Sequence, residues 1–189
     1  MSIIVLRLGH RPMRDKRVTT HLFLAARALG AEGAIYSGVR DRSVEESISE
    51  VCRDWGGNFK VEYTENWKRT IREWKKGRGK VVHLTMYGLP IQDVISEIRA
   101  DPSEKLVVVG GAKVPPEVYH LADWNVAVTS QPHSEVSALS IFLHELFQGK
   151  ELYREFEGAR MRIVPQERGK KVIRVGEEET EDLSPFESI

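Results

Sequence analysis

Along most of its length the chain alternates short runs rich in Val, Ile and Leu with longer segments of helical periodicity. That alternation limits the folds open to it. Strand candidates are IIVLRL (3–8), GAIYSG (33–38), FKVEY (59–63), KVVHLT (80–85), EKLVVVGG (104–111) and WNVAVTS (124–130). Helical patterns lie between them at 18–30, 43–56, 66–76, 90–99, 115–122 and 134–149. Strands separated by helices cannot pair as hairpins, so the expected fold is α/β: a mostly parallel sheet with helices on both faces. Local signals set the boundaries. Thr19 or Thr20 can cap the first helix and Gly30 can end it, while Ser43 and Glu46 have the spacing of a capping box. Trp67 and Trp74, seven apart, read as a core stripe, and Cys52 as a buried structural thiol. Residues 159–175 read as two strands joined by a turn, a hairpin appended to a single domain spanning 1–175.

The formal charge is zero, with 28 bases and 28 acids, but the balance is uneven along the chain. Six of the acids and none of the bases fall in 176–189, an acidic tail expected to be solvated and disordered. Residues 1–175 therefore hold 28 bases against 22 acids, which permits a nucleic-acid partner. A single cysteine excludes an intrachain disulfide and a multi-cysteine zinc site, and the histidines lack metal-ligand spacing, so no metal is expected. No apolar run is long enough to span a membrane, and the N-terminal charges follow the apolar run instead of preceding it as in a secretory signal. The cytoplasm is the expected compartment.

Ligands of open α/β sheets bind beyond the carboxyl ends of the strands. Three such ends are unusual here. HLTMYG (83–88) runs out into Thr85, Tyr87 and Gly88; VVVGGAKVPP (107–116) ends in paired glycines; AVTSQPHSEVSAL (127–139) passes through a polar loop and re-enters a helix at Ser134. Small residues there leave backbone N–H and C=O groups open to a flat, amide-rich ligand such as adenosine. Each also has a plainer reading: Gly110–Gly111 as a tight turn, Ser134 as a helix cap. G-x-G-x-x-G, the P-loop and G-x-S-x-G are all absent, which weighs against a dinucleotide fold, a phosphate loop and a hydrolase elbow. A fourth feature is basic. RLGHRPMRDKR (7–17) holds five Lys or Arg and follows a strand, so it reads as a loop suited to phosphate recognition. A second basic stretch, 67–80, would place Lys68, Arg69, Arg72, Lys75 and Lys76 on the polar side of a helix, within reach of phosphates.

The stretches LRLGHRPMRDKRVTTHLFLAARALGA, VVHLTMYG, VVVGGAKVP and NVAVTSQPHSEVSALSIFLHELFQGKEL, followed by IVPQERGKKV, resemble the archaeal tRNA (cytidine(56)-2'-O)-methyltransferase family. That family belongs to the knotted SPOUT superfamily. The resemblance implies a C-terminal deep trefoil knot, S-adenosylmethionine as methyl donor, the ribose 2'-hydroxyl of a T-loop cytidine in tRNA as acceptor, and a homodimer. It places the donor among Leu84 and Thr85; Val109, Gly110, Gly111, Ala112, Lys113 and Val114; and Ala127, Val128, Thr129, Ser130, Gln131, Pro132, His133 and Ser134. Ribose methylases of the superfamily carry an Asn…Arg pair in the first motif. Here the Asn is missing, and Arg17 stands for the catalytic Arg, ahead of Arg14 and Arg11. His21 and His133 are the candidate proton acceptors. The helix 134–147 is apolar beyond one stripe, so its second face is expected to meet either a second copy or the terminal hairpin.

Overall fold

The computed structural model describes residues 2–111 and 113–175. Its elements follow the expected alternation: β1 (Ile3–His10), α1 (Pro12–Ala28), β2 (Gly33–Gly38), α2 (Arg42–Trp55), β3 (Lys60–Tyr63), α3 (Trp67–Lys76), β4 (Lys80–Pro90), α4 (Ile91–Ala100), β5 (Lys105–Val109), α5 (Pro116–Leu121), β6 (Trp124–Ala127) and α6 (Glu135–Phe147). A short 3-10 turn (Lys150–Tyr153) leads to the hairpin β7 (Met161–Val164) and β8 (Lys171–Arg174). The six-stranded sheet has the order β3-β2-β1-β5-β4-β6, and the five pairings within it are parallel. β7 and β8 pair antiparallel as a separate two-stranded sheet. The acidic tail and Ala112 lie outside the described residues.

Period-two alternation sorts the strands between two layers. Ile3 and Val5 of β1, Val82 and Leu84 of β4, and Val107 and Val109 of β5 join a cluster with α1, α2, α4 and α6. Leu6, Leu8, Val81, Leu106 and Val108 face the other way, onto Ile71 of α3 and Val118 of α5, with Trp67 and Trp74 packed around them. The tryptophan stripe is thus core, and the Trp74 indole N–H donates to the Lys80 carbonyl at 3.1 Å. Cys52 is half-buried, its thiol 3.5 Å from the Phe59 carbonyl oxygen.

Three boundaries differ from the sequence reading. α1 starts at Pro12, six residues before the expected start, so Arg14, Lys16 and Arg17 stand on the helix and not on a loop. Proline at the first helical position loses no hydrogen bond, because that N–H would be unpaired anyway. Thr19 caps nothing: it is buried, with its hydroxyl 2.9 Å from His10 Nδ1. In α2, Asp41 takes the cap and accepts from the Ser43 N–H at 3.0 Å, in place of a Ser43–Glu46 box. On α6, Ser134 caps as expected, accepting from the Val136 N–H at 3.1 Å. That helix spends most of its apolar surface inside its own molecule: Leu139, Phe142, Leu143 and Leu146 are buried, and only Ile141 among its large apolar residues is exposed.

β4 is longer than expected and carries an irregularity. Val126 of β6 is in register with Leu84 and again with Leu89, so Thr85–Gly88 bulge outward between two pairings with one residue. A Cβ on Gly88 would lie 2.5 Å from the Asn125 carbonyl and the Val126 nitrogen. Gly88→Ala should therefore force β4 from β6 and lower the unfolding free energy by about 1–3 kcal/mol, read by chemical denaturation. An unchanged midpoint would show that the backbone gives way freely there.

Candidate active site

The carboxyl ends of β1, β5, β4 and β6 surround a pocket of about 400 Å³, within the range of small-molecule sites. This is where the strand order reverses: β1 runs to β2 and β3 on one side, while β5, β4 and β6 lie on the other. Val109, Gly110, Gly111 and Val114 form one wall, Leu84 to Tyr87 the second, and Val126, Val128, His133, Ser134, Glu135 and Ala138 the third. Arg7, Arg11, Arg14 and Asp15 close the side facing α1, and Tyr119 completes the lining.

The two glycines do different work. A Cβ on Gly110 would collide with the Val114 side chain, so this position is glycine because the chain folds back on it. A Cβ on Gly111 would meet only the Arg7 guanidinium, 3.9 Å away, so Gly111 keeps space open in the pocket itself. The β4 wall is braced from behind. The Tyr119 hydroxyl is 3.1 Å from Thr85 Oγ1, and the Tyr119 ring packs edge-on against His83 at 4.7 Å. His83 is buried, with Nδ1 2.9 Å from Asn125 Oδ1. Burial pushes its pKa below the ordinary histidine value, with the Asn125 bond acting the other way, so it is neutral at pH 7.

The α1 side is charged. Arg11 Nε donates to Asp15 at 2.9 Å, and Arg14 Nε lies 4.0 Å from the same carboxylate. The Arg11 bond holds the Asp15 carboxyl below the usual carboxylate range; burial opposes it, and Arg7's charge adds to it. Arg7 is only 2% exposed, and its Nη1 is 3.2 Å from Glu135 Oε1. Its Nε is buried with no hydrogen-bond partner. At the opposite rim, His133 Nδ1 lies 2.6 Å from the Gln131 carbonyl oxygen. A carbonyl only accepts, so Nδ1 carries the hydrogen and Nε2 keeps a free lone pair.

Of the residues singled out in the sequence, Leu84, Thr85, Val109, Gly110, Gly111, Val114, Val128, His133, Ser134, Arg11 and Arg14 stand on the wall. Lys113, Ala127, Thr129, Ser130, Gln131 and Pro132 belong to the same loops without lining it, and Ala112 lies outside the described residues. Arg17 and His21 are exposed on α1, off the wall. The sequence reading held Arg7 and Asp15 only as part of a basic segment for phosphate, and missed Tyr119, Val126, Glu135 and Ala138 as site residues. Among the described residues no group of three or more His, Cys, Asp or Glu is placed to hold a metal ion, and no helix is long and apolar enough to cross a membrane.

Comparison with known proteins gives a concordant set of likenesses. Residues 55–173 match the family described as tRNA ribose 2'-O-methyltransferase, aTrm56. The tRNA (cytidine(56)-2'-O)-methyltransferase of Methanopyrus kandleri is 59% identical over 91% of this chain and 96% of its own length. The protein of the same name from Methanothermobacter thermautotrophicus is 55% identical over 90% of this chain and 95% of its own. Among solved structures, a TrmH/SpoU tRNA modifying enzyme of A. aeolicus superposes with a TM-score of 0.59 at 18% identity, covering 79% of this chain and 76% of that one. The SpoU methyltransferase AviRb of Streptomyces viridochromogenes, in complex with AdoMet, gives 0.55 at 18% identity over 77% of this chain and 56% of that one. These likenesses establish a SPOUT-type fold.

The glycine geometry predicts a split. Gly110→Ala should lower stability by about 1–3 kcal/mol, while Gly111→Ala should change it by no more than about 0.5 kcal/mol. Thermal denaturation of the two variants checks this, and equal losses would mean that Gly111 has no free space beside it.

Proposed function

We propose, for a chain that belongs to the tRNA ribose 2'-O-methyltransferase family, that it methylates the ribose 2'-hydroxyl of cytidine 56 in the T-loop of cytoplasmic tRNA. What carries the reading is where the family match falls. Apart from the four residues of the α1 side, every residue lining it lies within the 55–173 span that the family describes. The methyl donor we assign is S-adenosylmethionine, whose sulfonium supplies an electrophilic methyl when bound. The pocket fits it. The backbone at Gly111 is open to the pocket for an adenine, Leu84, Val114, Val126 and Val128 give apolar faces, and Thr85 and Ser134 offer hydroxyls.

The chain's own task is to place the ribose and manage one proton. A ribose hydroxyl is a weak nucleophile at neutral pH, so its proton needs an acceptor. His133 Nε2 is the group we assign, because the Gln131 bond fixes the tautomer that leaves it basic. Arg remains protonated and is a poor base; Arg14, on the pocket wall, instead orients the hydroxyl and stabilises charge developing on the oxygen, while Arg17, about one helical turn further along α1 and off the wall, is left for the adjacent phosphate. His21, a further turn along, is the alternative acceptor. Positioning of this kind supplies much of the rate of an in-line displacement.

For tRNA binding, the basic side of α3 is a poorer surface than its sequence promised. Lys68 is bonded to Glu117, Arg69 to Glu73 and Lys75 to Asp123. The hairpin is better placed: Arg162, Arg168, Lys170 and Lys171 are exposed, with Glu167 the sole acid between Arg160 and Arg174. Two further features belong to the same reading. The homodimer is supported by Met13, Tyr87 and Leu89, exposed apolar side chains on the segments that form the pocket, with exposures of 100%, 80% and 61%; light scattering should give twice the 21.5 kDa chain mass. The knot is the second, and rests on the fold shared with the TrmH/SpoU structures that superpose on the chain.

The decisive test is single-turnover methylation of tRNA transcripts. A transcript with 2'-deoxycytidine at position 56 should accept no methyl group, whereas equal labelling of both transcripts would displace the reading to another nucleotide. Arg14→Ala should slow the saturating rate by on the order of 100-fold; a normal rate would move the role to Arg17. Lys170→Ala and Lys171→Ala should leave that rate unchanged and flatten the salt dependence of tRNA binding by about one unit of slope per lost phosphate contact. An unaltered slope would take the hairpin out of the tRNA interface.

A further inference from the structure

Arg7 is the one strongly charged side chain that the sheet carries into the pocket. It continues the face of β1 set by Ile3 and Val5, and its backbone is in register with Tyr36 on one side and Val109 on the other. A guanidinium in the middle of a parallel sheet is costly unless its donors are met, because burial strips its water. Here they are met in part. A single bond of 3.2 Å joins Nη1 to Glu135, Nε has no partner, and Nη2 faces the open space beside Gly111. Buried Arg–carboxylate pairs are frequently tied by two parallel bonds. This one spends one donor on Glu135 and leaves another aimed into the pocket.

The partner charge is arranged to match. Glu135 occupies the first position of α6, and its side chain is 32% exposed, so its carboxylate lines the pocket and reaches solvent. Arg7 and Glu135 thus present a fixed cation and a fixed anion side by side. Arg11 and Arg14 stand with Asp15 on the same wall, but the charge at Arg7 itself is the Glu135 carboxylate 3.2 Å away, which would repel a phosphate or other simple anion there. A ligand end that carries both charges suits it well. We infer that Arg7 and Glu135 form a receptor for a zwitterionic α-amino acid end. Arg7 takes the carboxylate with Nη2, and Glu135 accepts from the ammonium. Given the function proposed above, on which this inference rests, that end is the methionine moiety of the donor. Gly111 is then the residue whose missing side chain lets the carboxylate reach Arg7.

The pair specifies which part of the ligand each residue reads, and calorimetry with three ligands separates them. S-adenosylmethionine carries both charges, its decarboxylated form keeps the ammonium and sulfonium but lacks the carboxylate, and 5'-methylthioadenosine lacks the amino acid entirely. The unaltered protein should bind the full donor about tenfold or more tighter than the decarboxylated form, the scale of a lost charge-assisted hydrogen bond. Arg7→Gln should abolish that preference while leaving methylthioadenosine binding within about twofold. Glu135→Gln, at a half-exposed helix start, should weaken the donor and spare methylthioadenosine. Equal binding of donor and decarboxylated donor by the unaltered protein would overturn the inference without any variant, so it remains falsifiable even if Arg7→Gln does not fold. A folded Arg7→Gln that keeps the full preference would overturn it too, yet leave the methyltransferase reading standing. Failure of all three ligands to bind would remove the donor pocket, and the inference with it.

Discussion

Val126 is held by β4 at two places, Leu84 and Leu89, and the site is arranged around that repeated pairing. Four residues must leave the plane of the sheet between the two contacts, and the direction they take puts Thr85, Met86 and Tyr87 on the pocket wall. Gly88 turns the chain back because its Cα hydrogen is all that fits beside the Asn125–Val126 backbone. Side chains brace the bulge: Tyr119 stands behind Thr85, and His83 behind Tyr119. Pocket shape and sheet pairing are therefore one problem. A substitution that loosens β6 would be felt at the ligand before it was felt in the core.

The second constraint is electrostatic. Polar groups inside this protein are paired as a rule. Lys105, fully buried, donates to the Asp101 side chain and to the Asp101 and Ser103 carbonyls. Arg27 donates to the Trp55 and Gly56 carbonyls and stacks 4.4 Å over Phe156. Arg27 and Arg7 each keep a buried Nε without a partner, but of the two only Arg7 also lines the pocket, beside two glycines. Strain of this kind is retained where a ligand relieves it.

The alternation of strands and helices was legible because each element is amphipathic in its own period, and the two layers follow from it residue by residue. Strand order was not legible. β5 lies between β1 and β4, yet nothing in the periodicity of LVVV distinguishes the middle of a sheet from its edge. The three pocket loops could be read from their small residues, but the α1 side could not. RPMRDKR is so polar that it reads as a loop, and the signal that it opens a helix, Pro12, is ambiguous until Arg11 is seen to be extended before it. Arg7 was visible as the only charge within IIVLRL; its meaning depends on knowing that both faces of β1 are covered, which is a property of the assembled sheet.

The two rims that flank the pocket are both helix starts. α1 brings Arg11, Arg14 and Asp15; α6 brings Ser134 and Glu135, with His133 just ahead of it. These helices pack on each other within the same layer, through Leu22, Phe23 and Ala26 on one and Leu139, Phe142 and Leu143 on the other. Each is also tied to β1, α1 through Thr19 on His10 and α6 through Glu135 on Arg7. The backbones that carry both rims are thus set relative to one strand. A reaction accelerated mainly by placing a hydroxyl in line with an electrophilic carbon needs that rigidity more than it needs a strong base. The cost falls on β1, which must carry a histidine and an arginine through the middle of an apolar sheet.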